Sequence, residues 1–289
     1  MSALTIGAMY TTLIDCQTLA GQLDEPDWVI VDCRFDLLQP QAGRVAYAVG
    51  HLPGAVYADL NQDLSGPVTP TSGRHPLPDP QRLADILGCW GVSPHSQVLA
   101  YDAGNSAFAV RLWWLLRWLG HPAVAVLDGG FQAWQVAGLP VTQVTPAPRQ
   151  AVFVPQPDAD MVLGTAQVRS ALAQRAITLL DARAAPRYAG DIEPIDPVAG
   201  HIPGALNLPF EQNLDGNGRF LPADRLLARF APFESAPARL VHMCGSGVTA
   251  CHNLLAMEIA GLSGTKLYAG SWSEWIRNPA NPVTKGCEA

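Results

Sequence analysis

Short apolar runs alternate with stretches of helical periodicity along this chain. Residues 29–31, 98–101, 123–127, 179–180, 240–243 and 266–268 are strand-like runs of β-branched and aliphatic residues. Between two of them, residues 107–119 are apolar almost throughout and predict a buried helix, with Gly120 placed to stop it. Residues 249–260 predict the corresponding helix in the later half, stopped at Gly261. Strands alternating with helices of this length imply parallel strands joined by crossover helices, an α/β layer fold. In such folds ligands sit beyond the carboxyl ends of the strands.

The pattern occurs twice. Asp32-Cys33-Arg34 is matched by Asp181-Ala182-Arg183, and Gly50-His51-Leu52-Pro53-Gly54-Ala55 by Gly200-His201-Ile202-Pro203-Gly204-Ala205. The strand ending at Asp102 is matched by the strand ending at Cys244, and Gly129-Gly130-Phe131-Gln132-Ala133-Trp134 by Gly270-Ser271-Trp272-Ser273-Glu274-Trp275. The offsets are 149, 150, 142 and 141 residues, in the same order, so one unit is duplicated with a deletion in the later copy. Five prolines between Pro140 and Pro157 mark an extended joint. The expected organisation is an N-terminal domain over 8–145, a linker over 146–160 and a C-terminal domain over 161–289.

Length agrees, since 289 residues favour two domains of ordinary size. A net charge of −7 lacks the basic face that general nucleic-acid binding needs. The best apolar run, around 112–119, is flanked or interrupted by Arg111 and Arg117 and is far short of a membrane span of about 18 residues. No basic region precedes Asp15, so no signal peptide is expected, and a cytoplasmic protein with no nucleic-acid or membrane partner is. The six cysteines Cys16, Cys33, Cys89, Cys244, Cys251 and Cys287 form no C-x-x-C pair and read as reduced thiols. Cys33 sits inside a strand motif and reads as packing. Cys251, seven residues beyond Cys244, falls two helical turns along and reads as core, whereas Cys287 near the end is expected to be exposed.

Cys244 is different. It ends a strand and opens Cys244-Gly245-Ser246-Gly247-Val248-Thr249, which runs straight into a helix. The glycines permit a tight turn with several N–H groups pointing inward, and the helix N-terminus adds its positive end. That setting favours a thiolate, the nucleophilic form of cysteine. At the matching place the first copy has Asp102-Ala103-Gly104-Asn105-Ser106, a loop of the same kind without the thiol. Phosphatase loops that begin with a cysteine before a helix close on an arginine, and here that place is Ala250. No Cys/His cluster has metal-ligand spacing and no nucleotide fingerprint is present, so no metal and no cofactor are expected.

These residues resemble the tandem-domain rhodanese family, the thiosulfate and 3-mercaptopyruvate sulfurtransferases, over nearly the whole chain. The resemblance implies two rhodanese-like domains, each a mainly parallel sheet flanked by helices. The first is silent, with Asp102 in place of cysteine, and the second is catalytic. It implies sulfur transfer through a Cys244 persulfide from a small anionic donor, mercaptopyruvate and/or thiosulfate, to a thiophilic acceptor such as cyanide, a thiol or thioredoxin. Gly245, Ser246, Gly247, Val248 and Thr249 would form the persulfide loop, and Arg187 would face the donor's carboxylate or sulfonate. His75 matches a first-domain histidine of the mercaptopyruvate type. The aspartate that accompanies it there falls at Asn61, with Asp63 nearby. A second arginine usual in that type is replaced by Asp196, as in the thiosulfate type. Donor preference therefore stays open, as does a carrier module without turnover. Arg34 and Arg183 are expected to be structural, each paired near its strand end, and His51 and His201 to tie their turns.

Overall fold

The computed structural model describes residues 9–147 and 150–286. Cys287, position 8 and part of the expected linker lie outside the described residues. The first half holds β1 (Leu13–Ile14), α1 (Cys16–Ala20), β2 (Trp28–Asp32), α2 (Ala42–Val49), β3 (Val56–Tyr57), α3 (Pro80–Cys89), β4 (Gln97–Tyr101), α4 (Ala109–Trp118), β5 (Val124–Leu127) and α5 (Gly130–Val136). The second half holds β6 (Val162–Leu163), α6 (Thr165–Ala173), β7 (Thr178–Asp181), α7 (Ala185–Ala189), β8 (Leu206–Asn207), α8 (Ala223–Phe230), β9 (Leu240–Met243), α9 (Ala250–Ile259), β10 (Lys266–Tyr268) and α10 (Ser271–Trp275).

Each half builds a five-stranded sheet. The strand orders are β1-β5-β4-β2-β3 and β6-β10-β9-β7-β8, which are the same order in two copies, and every pair is parallel. Both sheets are flanked by helices, as parallel sheets require, because both faces must be covered. The predicted strand 240–243 is β9 itself, and the helices expected over 107–119 and 249–260 are α4 and α9 with frayed ends. Gly120 and Gly261 follow them at φ 83 and 78°, the left-handed conformation of a helix stop.

The repeated motifs are repeated structural devices. Arg34 pairs with Asp32 and donates to the Gly50 carbonyl at 2.7 Å; Arg183 pairs with Asp181 and donates to the Gly200 carbonyl at 2.8 Å. His51 and His201 stack on Tyr47 and Tyr188 at 3.9 and 3.7 Å, and each Nδ1 lies within hydrogen-bond distance of that tyrosine's carbonyl. These groups hold a sheet edge to the turn beside it.

The apolar character of α4 on every side has a tertiary cause. One face covers the first sheet and another packs on α9, so Leu112, Trp113, Trp114 and Leu116 join Leu254, Leu255 and Phe230 in one core that crosses both halves. A helix apolar all round is a helix buried all round. Two further cores lie on the outer faces of the sheets, around Trp134 and around Trp272 and Trp275. After 150 the chain is strapped to the first half: Ala151 donates to the Gly88 carbonyl, Gln156 to Leu119 and Asp158 to Trp118, each at 2.9 Å. Among the described residues no helix is long and apolar enough to cross a membrane.

Candidate functional site

Cys244 follows β9 directly and is 2 % exposed. Its backbone N–H donates to Ser271 Oγ at 3.1 Å, and its carbonyl accepts from Trp272. The Gly245 carbonyl accepts from Ser273, so the loop is pinned to the start of α10. Gly247 has φ 75°, and a Cβ there would lie 2.3 Å from the Ala269 carbonyl oxygen, so only glycine makes this turn. Val248 is buried, and Thr249 is the residue before α9. Among the described residues no protein acceptor takes the N–H groups of Ser246, Val248 or Thr249. They form the concave donor set that an anion completes.

The first copy shows the same loop already filled. Asp102 Oδ1 accepts from the N–H of Gly104 and Ser106 at 3.1 and 3.0 Å, and Oδ2 from Phe108 and Ala109 at 2.8 and 3.1 Å. Burial pushes this carboxyl up, while those four amides favour its charged form. A carboxylate from the chain itself therefore plugs the cradle that in the second copy faces a thiol.

Residues from the first half close the second-half loop. His75 is buried, with Nδ1 2.7 Å from Ser246 Oγ and Nε2 3.1 Å from Asn61 Oδ1. Burial, with Arg111 and Arg74 nearby, pushes His75 down to about 3, so it is neutral at ordinary pH. With the Asn61 amide oxygen accepting from Nε2–H, Nδ1 is the acceptor for the Ser246 hydroxyl. Asn61 thus stands behind His75, whereas the Asp63 carboxylate turns away and accepts from the Asp59 N–H at 2.7 Å. Arg111, on α4, is fully buried; it donates to the Gly247 carbonyl at 3.1 Å and the His75 carbonyl at 3.2 Å. No acidic side chain pairs with it among the described residues. Burial pushes its guanidinium down.

Arg187 sits beside the loop, bound to Glu193 at 2.7 Å and to Asp196 at 3.3 Å. Burial works to raise the Glu193 carboxyl, but Arg187 and the N–H groups of Asp196 and Ile195 hold it below its ordinary value. Asp196 also pairs with Arg74. Burial pushes the Asp196 carboxyl up against both arginines. Cys251 is core: it is fully buried, Sγ lies 3.4 Å from the Gly247 carbonyl, and burial pushes the thiol up to about 12. Cys33 is buried in the core and Cys89 is exposed.

The structure therefore brings Cys244, Ser246, Arg187, His75 and Asn61 to one place, and adds Arg74 and Arg111, which sequence reasoning did not single out. Arg74 adjoins His75, and Gly73-Arg74 is matched in the later copy by Gly218-Arg219, whose arginine lies at the first copy's loop. Arg111 showed only as a charge interrupting an apolar run. A cavity of about 240 Å³ opens on Arg74, His75 and Asn61 between the apolar walls of Phe35, Val68 and Ile195. A larger one, about 850 Å³, lies at the first copy's loop, beside Gly104, Asn105 and Arg219, away from any thiol of the loop. Among the described residues no group of three or more His, Cys, Asp and Glu is placed to share a metal ion.

The rhodanese-like domain family matches residues 15–137 and 165–278. A Pseudomonas aeruginosa protein assigned as a 3-mercaptopyruvate sulfurtransferase is 51 % identical over 278 residues, covering 95 % of this chain and 98 % of its own. The thiosulfate sulfurtransferase of Cricetulus griseus is 33 % identical over 296 residues, covering 96 % and 97 %. Among solved structures, the Escherichia coli 3-mercaptopyruvate sulfotransferase SseA superposes with a TM-score of 0.79 at 32 % identity, over 92 % of this chain and all of the other.

Proposed function

This chain belongs to the rhodanese family in two tandem copies, and from that membership and the geometry of the Cys244 loop we propose that it is a sulfurtransferase working through a Cys244 persulfide. The observation that carries the reading is the pair of matching loops. One cradle of amides is occupied by the Asp102 carboxylate, and the other presents its N–H groups beside a thiol. The first copy is then silent because its own side chain fills the anion site.

In the proposed cycle the Cys244 thiolate attacks the outer sulfur of the donor. With thiosulfate the S–S bond breaks and its electron pair leaves with sulfite. With mercaptopyruvate the C–S bond breaks, and the carbon takes the pair and then a proton to become pyruvate. Either way Cys244 carries a persulfide anion, stabilised by the loop N–H groups. A thiophilic acceptor such as cyanide, a thiol or thioredoxin then takes the terminal sulfur and restores the thiolate. A cytoplasmic setting, rich in reduced thiols, suits that second half. The Ser246–His75–Asn61 chain supports mercaptopyruvate as a donor, because a neutral His75 can hold or move a proton at the Ser246 hydroxyl beside the donor carbonyl.

Intact mass after incubation with either donor tests this. A gain of about 32 Da, one sulfur, that cyanide removes and that Cys244→Ser abolishes is the expected result. Wild-type protein that gains no mass from either donor overturns it.

A further inference from the structure

The arginines around the sulfur loop are paired with carboxylates, with one exception among the described residues. Arg74 pairs with Asp196, Arg187 with Glu193 and Asp196, and Arg183 with Asp181. Arg111 has no such partner. It is the third residue of α4, wholly buried, and no acidic side chain reaches it among the described residues. Its two terminal nitrogens donate to the Gly247 and His75 carbonyls at 3.1 and 3.2 Å, and its buried Nε donates to nothing. A guanidinium keeps its charge in a protein, and a buried charge without a counter-charge is costly.

The loop is bent to meet it. In an unbroken helix the Gly247 carbonyl would accept from the Cys251 N–H, four residues on. That N–H goes to the Val248 carbonyl at 3.1 Å instead, which leaves the Gly247 carbonyl to Arg111. Cys251 Sγ lies 3.4 Å from the same oxygen, but burial pushes this thiol up to about 12, so it stays uncharged at ordinary pH. The sulfur of Cys244, within electrostatic reach of Arg111 across the turn, is the anion that remains. The C=O and N–H of a trans peptide point opposite ways, so the Val248 N–H faces away from Arg111. The matching N–H of the first copy, that of Ser106, donates to the Asp102 carboxylate at 3.0 Å. That copy shows the complement. Its loop holds its own anion, and the third residue of the facing helix α9 is no cation: His252 is buried beside the Asn105 backbone and pushed down to about 3, chiefly by burial.

We propose that Arg111 is the buried counter-charge of the sulfur anion: from behind the loop it stabilises Cys244 as thiolate and as persulfide, the thiol proton being released to solvent. This rests on the reading of Cys244 as the sulfur carrier. Arg111 acts on the sulfur and not on the donor, since it is absent from the wall of the 240 Å³ cavity. The apolar core around it lowers the local dielectric and strengthens the attraction. The first copy thus supplies a charge that the catalytic copy lacks. The other groups facing Cys244 are the paired Arg74, Arg187 and Arg183, then His75 against Ser246, His242 on β9 and Cys251 on α9. His75 and His242 are pushed down to about 3 and Cys251 up to about 12, so none of these three changes charge between about pH 5 and 9.

Single-turnover sulfur uptake from thiosulfate, followed by intact mass between about pH 5 and 9, tests the proposal. Thiosulfate is fully ionised throughout, so the midpoint of the profile belongs to the protein. Arg111→Met and Arg111→Gln are both neutral, and Gln keeps an NH₂ group for the Gly247 carbonyl. Both should move the midpoint to higher pH, by about tenfold in proton concentration, whereas Arg111→Lys keeps the charge and should stay within about threefold of wild type. Donor KM should stay within about threefold for all three variants. A midpoint for Arg111→Gln within about threefold of wild type overturns the proposal, because a hydrogen bond alone would then suffice. An equal shift for all three variants, Lys included, is what a packing role predicts, and it also overturns the proposal. If Arg111→Met does not fold, Arg111→Gln and Arg111→Lys decide between them. Wild type that gains no sulfur at all overturns the sulfurtransferase reading; wild type that gains sulfur, with an unmoved Arg111→Gln midpoint, overturns this inference alone.

Discussion

Replacing Asp102 by alanine removes the acceptor for four backbone N–H groups at once, those of Gly104, Ser106, Phe108 and Ala109. A buried donor left without an acceptor costs about 1–3 kcal/mol, so the four together give an upper figure near 4–12 kcal/mol. Two effects reduce it. Gly104 borders the 850 Å³ cavity, so water reaches the amides on that side of the loop. Removing the carboxylate also removes the cost of burying its charge. Groups that share one acceptor are not additive either. The amides of Phe108 and Ala109, at the start of α4, remain without a partner, and we expect a net loss of about 3 kcal/mol. Asp102→Asn keeps one carbonyl oxygen, turns an NH₂ toward the other donors, and should lose somewhat less. Urea unfolding followed by tryptophan fluorescence measures this, because Trp113 and Trp114 lie in α4. Sulfur uptake at Cys244 should persist below the transition. A loss under about 1 kcal/mol for Asp102→Ala would refute the reasoning, because it would mean that the carboxylate does not satisfy the cradle.

Three more outcomes follow from the same geometry. Loading Cys244 with sulfur supplies the anion that the second cradle presents its amides to, so the persulfide form should melt higher, by about 2–4 °C for each kcal/mol gained; equal melting of loaded and free protein speaks against an anion cradle. Ser246→Ala removes the hydroxyl bonded to His75 and should lower kcat/KM for mercaptopyruvate about tenfold while changing that for thiosulfate by less than about threefold, with equal losses ruling out a role at the donor carbonyl. His75, His242 and His252 are each pushed down to about 3, chiefly by burial, so the unfolded chain binds protons that the folded one refuses. Their stabilising contribution is complete above about pH 6.5 and is lost as pH falls toward 3, at about 2 kcal/mol for each histidine by pH 5; unfolding free energies that stay flat between pH 7 and pH 5 would contradict this.

The duplicated motifs were legible because each is local. Asp32-x-Arg34 and Asp181-x-Arg183 close on themselves two residues apart, and the glycines at 245 and 247 announce a turn wherever the loop is placed. Strand and helix alternation fixed the parallel sheets in the same way, since crossover handedness and length leave few other solutions. Helix ends moved by one or two residues, where Ser106 at φ 59° and the Asp102 carboxylate decide the start of α4.

Residue pattern alone left hidden what the second copy borrows from the first, of which only His75, with Asn61 behind it, was indicated, through the family resemblance. His75 meets Ser246 across 171 residues of chain, and Arg111 meets the Gly247 carbonyl across 136. No periodicity or spacing encodes such a contact. By itself the sequence determined the repeated unit, its fold and the one cysteine set in an amide cradle, because these follow from short-range backbone geometry and hydrophobic period. Beyond Arg187, which the resemblance indicated, only the tertiary structure decided which charges surround that cysteine. The packing of α4 on α9 buries a shared apolar core, and in doing so it carries Arg111, His75 and Arg74 onto the loop of the other half.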